Sequence, residues 1–330
     1  MVHQSLAWCW QHPGEPEDLT LSDVTLPELT DDQVLVVNKV IGLNPVDWKL
    51  IQQSHGFWVP GQIPGVDAMG IVVAVGKNAQ HVRIGARVAY HTNLCKQGSF
   101  SKHTAVTANA LLCVPDNVSD ESAAAFPCPG LTAWQAIRKL PDVKGKRVLI
   151  SGAGGSVGLI LAQLLIGEGA KIYCTASKHN HQNLLNLGVI AAFDYHDDNW
   201  QQLLQRSLGK HRLYAAFDTV SGKHAATLAK LLGYYGHLVC IQDRIETAPL
   251  PIFTTNISLH EVALGAIHRH GSEEQWHELI RAGEQLLSAI GRHELVLPAH
   301  SVSDFNRLPE ALSLLKSTNN GLKRLVKISD

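Results

Sequence analysis

A strand, a glycine-rich turn and a helix follow one another without interruption between residues 146 and 167. Residues 146–151 read KRVLIS, the next seven are Gly152-Ala153-Gly154-Gly155-Ser156-Val157-Gly158, and apolar side chains dominate to about residue 167. A short apolar run of this kind suits a strand covered on both faces, as in a parallel sheet with helices on either side. Bare backbone N–H groups at the positive end of a helix bind a diphosphate, and side chains on the turn would hold it off. Gly152, Gly155 and Gly158 allow that approach, and Ser156 and Val157 add amides of the first helical turn. Flexible turns use the same residues. The strand before and the helix after favour the phosphate cradle.

The strand and helix patterns continue from there. Residues 171–175, 191–195, 214–218 and 237–241 read as further strands, with helices ending near Leu187, over 200–208 and over 223–232, and a sixth strand over 258–264. Such alternation predicts a doubly wound α/β sheet. Before residue 122 the texture differs: short β runs at 33–38, 70–75, 86–90 and 111–114 are punctuated by turn residues. After residue 268 come a helix over 273–290, a strand over 294–298, a helix near 305–315 and a final strand over 322–328, too little for a third domain. The chain of 330 residues is therefore read as two domains: 1–123 with 269–330, and 124–268 inserted between them.

Composition narrows the function. A formal net charge of -1 and the lack of a basic run with interleaved aromatics give no pull toward nucleic acid or anionic lipid. The opening residues MVHQSLAWCW do not read as a signal peptide, and no apolar run reaches membrane-span length, so a cytoplasmic protein is expected. Six scattered cysteines, none in a C-x-x-C pair, predict free thiols.

The end of the second Rossmann-type strand distinguishes the two nicotinamide dinucleotides. An acid there bonds the ribose 2′-hydroxyl and repels a 2′-phosphate. Here the stretch is Cys174-Thr175-Ala176-Ser177-Lys178-His179 and contains no acid. Ser177 offers a hydrogen bond and Lys178 a positive charge, so NADPH is the expected cofactor. A serine-capped helix start beside an incidental surface lysine accounts for the same residues.

Taken with Gly42-Leu43-Asn44-Pro45-Val46-Asp47, Pro64-Gly65-Val66-Asp67-Ala68-Met69-Gly70, Gly85-Ala86-Arg87-Val88, Gly98-Ser99-Phe100-Ser101 and Leu131-Thr132-Ala133-Trp134, the glycine turn resembles the medium-chain dehydrogenase/reductase superfamily. The likeness is greatest to its zinc-free quinone oxidoreductase and enoyl or alkenal reductase branch. It implies a GroES-like β-rich catalytic domain built from both termini, a Rossmann domain between them, an active site in the cleft and a homodimer paired through the last Rossmann strand. The resemblance carries Thr132, Tyr195 and Gln242 to the cofactor site and Asn44 to the substrate oxygen or the nicotinamide ribose, with Asp47 in the same catalytic region. Asn44 also suits a turn start and Asp47 a local cap. His55 and Trp58, in the HGFWVP segment 55–60, are read as one wall of a substrate pocket on a strand-and-loop region.

Zinc-dependent members place a cysteine where this chain has Asn44 and a histidine where it has Val66, which leaves Cys128 without companions for a tetrahedral site. No metal is expected. Without a Lewis acid the acceptor must already be electrophilic, as a quinone or an α,β-unsaturated carbonyl is. Two readings compete: a zinc-type alcohol dehydrogenase with an atypical ligand set, and an NADPH-binding protein with little catalysis.

Overall fold

The computed structural model describes residues 4–26, 28–220, 222–241, 243–318 and 320–329. The chain divides into two compact units, Met1–Cys128 with Gly265–Asp330, and Pro129–Leu264.

The first unit begins with a two-stranded antiparallel ribbon, β1 (Gln4–Cys9) and β2 (Thr20–Thr25). There follow β3 (Gln33–Gly42), α1 (Pro45–Gln52), β4 (Asp67–Val75), β5 (Arg87–His91), β6 (His103–Thr107), β7 (Leu111–Cys113) and α2 (Asp120–Ala125). The ten-residue β3 carries aliphatic side chains at Val34, Leu35, Val36, Val37, Val40 and Ile41 and is buried along most of its length, as befits its inner place in the sheet. Residues 45–52, read from the sequence as strand and loop, form the helix α1. Asn44 takes the extended N-cap conformation, Pro45 opens the first turn, where a missing N–H costs nothing, and the Asp47 carboxylate reaches back to the N-cap amide.

The second unit contains most of α3 (Pro127–Ile137), then β8 (Arg147–Ser151), α4 (Ser156–Gly167), β9 (Lys171–Thr175), α5 (His181–Asn186), β10 (Ala191–Phe193), α6 (Trp200–Leu208), β11 (Leu213–Asp218), α7 (His224–Ala229), β12 (Leu232–Cys240) and β13 (Ser258–Glu261). Its six strands run parallel in the order β10-β9-β8-β11-β12-β13. Counted from β8 this is 3-2-1-4-5-6, the order of two mononucleotide-binding halves joined at β8 and β11. The expected doubly wound sheet is therefore present. Val148, Leu149 and Ile150 of the central β8 are fully buried, and α4 covers them with Ile160, Leu161 and Leu165.

The chain then returns to the first unit through α8 (Ile267–His270), α9 (Glu273–Gly291), β14 (His300–Asp304), α10 (Leu308–Ser317) and β15 (Lys323–Lys327). β15 pairs antiparallel with β3, completing a sheet of order β14-β15-β3-β4-β5-β7 with β6 on β3. The strand expected over 294–298 forms instead at 300–304. Pro298 has no N–H for a ladder, and the alternating exposed and half-buried residues after it suit an edge.

Candidate functional site

In the second unit, the turn after β8 is held rigidly. The amides of Gly152 and Ala153 both donate to the Thr175 carbonyl at the end of β9, at 3.1 and 3.0 Å, and Thr219 Oγ1 donates to the Ser151 carbonyl at 2.7 Å. Gly152 has φ +81°, a conformation that a side chain disfavours. A Cβ on Gly158 would stand 2.4 Å from the Gly152 oxygen and 2.7 Å from Ala153 Cα, so this glycine lets α4 seat against the turn. A Cβ on Gly155 would meet nothing closer than 3.5 Å. The fold does not require a glycine there, yet Gly155 is the N-cap of α4 and supplies no side chain to cover the amides of Ser156, Val157 and Gly158. Bare amides on an unobstructed helix start fit a dinucleotide diphosphate.

At the end of β9, Ser177 caps a short 3-10 turn, Lys178–Asn180, and Ser177 Oγ lies 3.0 Å from Tyr195 Oη. The structure thus brings together two residues that the sequence placed at the ribose separately. Lys178 is exposed beside them. Nearby, Asp194 is held below the usual carboxylate range by the backbone and ring N–H groups of His196, with Lys178 adding a smaller pull. Thr132 lies buried on α3. Gln242 lies outside the described residues.

The first unit contains a buried polar network whose members come from five elements. Asn44 Nδ2 donates to Asp67 Oδ2 at 2.8 Å and to the Gly42 carbonyl at 3.2 Å, while Lys323 Nζ donates to Asn44 Oδ1 at 2.6 Å. An ammonium only donates and a carboxylate only accepts, so this arrangement fixes which way the amide faces. Both amide hydrogens of Asn44 and its oxygen are therefore engaged within the protein. Lys323 also stands 3.9 Å from Asp67 Oδ2, and the Cys128 amide donates to both oxygens of Asp67 at 3.1 and 3.0 Å. The Asn44 amide donates to Asp47 Oδ2 at 2.7 Å. Asp47 Oδ1 has no hydrogen-bond partner of normal geometry, although the Val66 amide is close enough to pull the carboxyl's pKa down.

Two carboxyls thus share one ammonium in a site closed to water. Burial is the main cause that raises Asp47, to about 8, with the Asn44 amide opposing it and the neighbouring Asp67 adding to it. Asp67 rises less, to about 6, because Lys323 and the Cys128 amide counter its desolvation. Burial thus favours the neutral form of Asp47 more than that of Asp67, whose charge Lys323 and the Cys128 amide help to hold. Opposite Asp67 on β5 stands buried His91, pushed down to about 3 by desolvation, by His268 and by Lys323. His268 is pushed down to about 4, chiefly by burial. The two rings stack with Nδ1 and Nε2 3.4 Å apart, and Trp276 packs edge-on against His268.

Asp47 also lines a shallow recess in this unit, with room for about one water molecule, together with Leu50, Trp58, Ile63, Val66 and Thr92. Trp58 is fixed there by an indole N–H bond to the Leu94 carbonyl at 2.7 Å. His55 is exposed, with φ +53°, and is not among the lining residues. Among the described residues, no group of three or more His, Cys, Asp or Glu side chains is placed to hold a metal ion.

The sequence reading missed Lys323 and gave Asp67 no role. A signal for Lys323 existed: strand residues two apart share a face, and Leu325 is fully buried, so Lys323 points inward with it.

The alcohol dehydrogenase GroES-like domain model matches residues 30–116. Quinone oxidoreductase of Sus scrofa is 30% identical over 258 residues, covering 76% of this chain and 78% of that protein. The 2-methylene-furan-3-one reductase of Solanum lycopersicum is 32% identical over 210 residues, covering 60% of this chain and 54% of that protein. Among solved structures, Escherichia coli quinone oxidoreductase complexed with NADPH superposes with a TM-score of 0.84 at 21% identity, over 98% of this chain and 99% of the other.

Proposed function

The chain belongs to the zinc-independent, quinone-oxidoreductase-like branch of the medium-chain dehydrogenase/reductase superfamily, and on that premise we propose that it is an NADPH-dependent reductase of quinones or α,β-unsaturated carbonyls. The observation that carries this reading is the bare helix start at Gly155, on a parallel sheet of dinucleotide-binding order, beside a β9 terminus that offers Ser177, Lys178 and Tyr195 and no acid. Gly152, Gly155, Ser156, Val157 and Gly158 would hold the diphosphate of NADPH. Ser177, Lys178 and Tyr195 would recognise its 2′-phosphate, with Thr132 and Gln242 toward the nicotinamide. When bound, the cofactor supplies a hydride.

The residues of the first unit account for the acceptor side. Trp58 gives the recess a flat apolar wall, and Asn44 ties α1 to β4 and β15, fixing the position of Asp47. His55 adjoins this region from an exposed loop. We also place the protein in the cytosol as a homodimer. The six free cysteines are consistent with a reducing compartment, and β13, at the end of its sheet with Leu259 exposed, offers an edge for pairing.

The test is to follow NADPH absorbance with a panel of 1,4-benzoquinone, 9,10-phenanthrenequinone, acrolein and 2-hexenal. Cofactor oxidation with at least one of them is expected. Tight NADPH binding without turnover of any would leave a binding protein instead, and turnover dependent on added zinc would restore the alcohol dehydrogenase reading.

A further inference from the structure

Asn180 stands at the N-cap of α5, a position where an asparagine side chain commonly accepts from the amides of the first helical turn. Here it makes no capping hydrogen bond. Such a cap reaches the helix from extended backbone, whereas the turn Lys178–Asn180 runs straight into α5 and gives Asn180 helical angles, φ −89° and ψ −13°. The side chain lies instead against Gly154, in the turn after β8. We propose that the Asn180 carboxamide is a further ligand of the dinucleotide, donating its N–H hydrogens to the diphosphate beside the bare amides of Ser156, Val157 and Gly158. The inference rests on the reading of this turn as a cofactor cradle and adds a residue to it.

Gly154 supplies the first support. A Cβ there would stand 2.4 Å from Asn180 Nδ2 and 3.0 Å from Asn180 Cγ, and its three nearest atoms all belong to Asn180. The neighbouring glycines answer to other demands: Gly152 has φ +81°, and a Cβ on Gly158 would press on backbone. Gly154 is not among the glycines of positive φ, and no backbone atom crowds it, so neither conformation nor backbone packing calls for a glycine at this position. What the missing Cβ provides is room for a carboxamide.

The second support is that this carboxamide ties nothing together. It is half-buried, and among the described residues it has no hydrogen-bond partner, so it does not fasten the 3-10 turn to the cradle. Its two N–H donors are available to an anion, and a hydrogen bond to an ionised acceptor belongs to the stronger class. The position also separates two parts of the cofactor. Ser177, Lys178 and Tyr195 gather at the end of β9, where the 2′-phosphate is read, whereas Gly154 immediately precedes Gly155, the N-cap of α4. A donor seated on Gly154 therefore serves the diphosphate, which NADPH and NADH share. Asn180 then raises affinity for either dinucleotide, and Lys178 sets the choice between them.

The experiment is a fluorescence titration of NADPH and, separately, of NADH into the wild-type protein and variants, with folding checked by the denaturant midpoint. Asn180→Ala is expected to weaken both cofactors about tenfold and by the same factor. Asn180→Asp keeps the shape and is as good a helix cap, so a structural role would leave binding unmoved; a carboxylate beside the diphosphate is expected to weaken both cofactors about a hundredfold. Gly154→Ala displaces the carboxamide and is expected to weaken binding about fivefold in the wild-type background but less than about twofold in Asn180→Ala, since the two changes remove one interaction. Wild-type affinity in Asn180→Ala overturns the proposal, as does a loss confined to NADPH, which would move the residue to the 2′-phosphate. An equal Gly154→Ala loss in both backgrounds is contrary as well. Failure of the cradle reading looks different: the wild-type protein then binds neither cofactor, and the proposal falls with it. Because the readout is binding, a protein that turns over no acceptor, which would defeat the reductase reading, still decides the role of Asn180.

Discussion

Lys178 stands exposed at the end of β9, and in the proposed function it discriminates between the two nicotinamide cofactors. A phosphate meeting this ammonium forms a charge-assisted hydrogen bond worth about 1.5–3 kcal/mol, whereas a ribose hydroxyl gains little from it. Lys178→Ala is therefore expected to weaken NADPH binding roughly ten- to a hundredfold and to leave NADH binding nearly unchanged, as read by cofactor fluorescence titration. Equal losses for both cofactors would remove Lys178 from the recognition. Two glycines of the turn separate packing from ligand access in the same way. Gly158→Ala forces a Cβ against backbone at 2.4 Å and should cost about 2 kcal/mol of stability in denaturant unfolding. Gly155→Ala has room in the folded chain and should leave stability within about 0.5 kcal/mol while impairing NADPH binding, since the new methyl group lies on the helix start that the diphosphate approaches. The reverse pattern would mean that the turn serves packing alone.

At the scale of elements, β15 is tied into the sheet by more than its ladder with β3. Lys323 projects inward beside Leu325 to meet Asn44 at the head of α1 and Asp67 on β4. Removing one partner of a buried ion pair leaves an uncompensated charge, which costs about 3–5 kcal/mol, whereas removing both is far milder. Lys323→Met should therefore be strongly destabilised in chemical denaturation, and Lys323→Met with Asp67→Asn should recover a large share of the loss. A double variant no better than the single one would show that the network is not coupled. Short β-type runs between turn residues made most strands of this unit legible, and the Asn44-Pro45 start with Asp47 three residues on is a complete capping signal for α1. The same residues suit a turn start at Asn44-Pro45 and a local cap at Asp47, so the helix is not the one reading they allow. Lys323 escaped notice for a different reason: its partners lie 279 residues away at Asn44 and on a third element at Asp67, and long-range pairing leaves no local trace. The turn at residues 152–158 was legible because strand, glycines and helix are contiguous. The ribose end was half legible, since Ser177 and Lys178 adjoin β9 while the Ser177–Tyr195 bond depends on how β10 pairs with β9.

For the whole molecule, the buried ionisable groups set opposite pH trends. Asp47 and Asp67 have raised values, so their contribution to stability is complete below the ordinary carboxylate value and is lost as pH rises, by about 6 for Asp67 and about 8 for Asp47. His91 and His268 have depressed values, so theirs is complete above the ordinary imidazole value of 6.5 and is lost as pH falls toward about 3 and about 4, respectively. Between about pH 7 and about pH 8 the histidine contribution is nearly complete and Asp47 changes charge most among these four. Unfolding free energy should fall across that window by up to about 1 kcal/mol, and Asp47→Asn should flatten the decline. Parallel profiles for the two proteins would mean that Asp47 ionises normally in the fold.

The proposed function requires direct transfer of a hydride from NADPH to an activated acceptor. It is measured by incubating the protein with NADPH deuterated at C4, separately on each face, and 2-hexenal, then analysing the hexanal by mass spectrometry. One of the two cofactors should deliver a single deuterium to the β-carbon of the product. Unlabelled hexanal from both, or no turnover of any acceptor of the panel by a protein saturated with NADPH, would contradict the account.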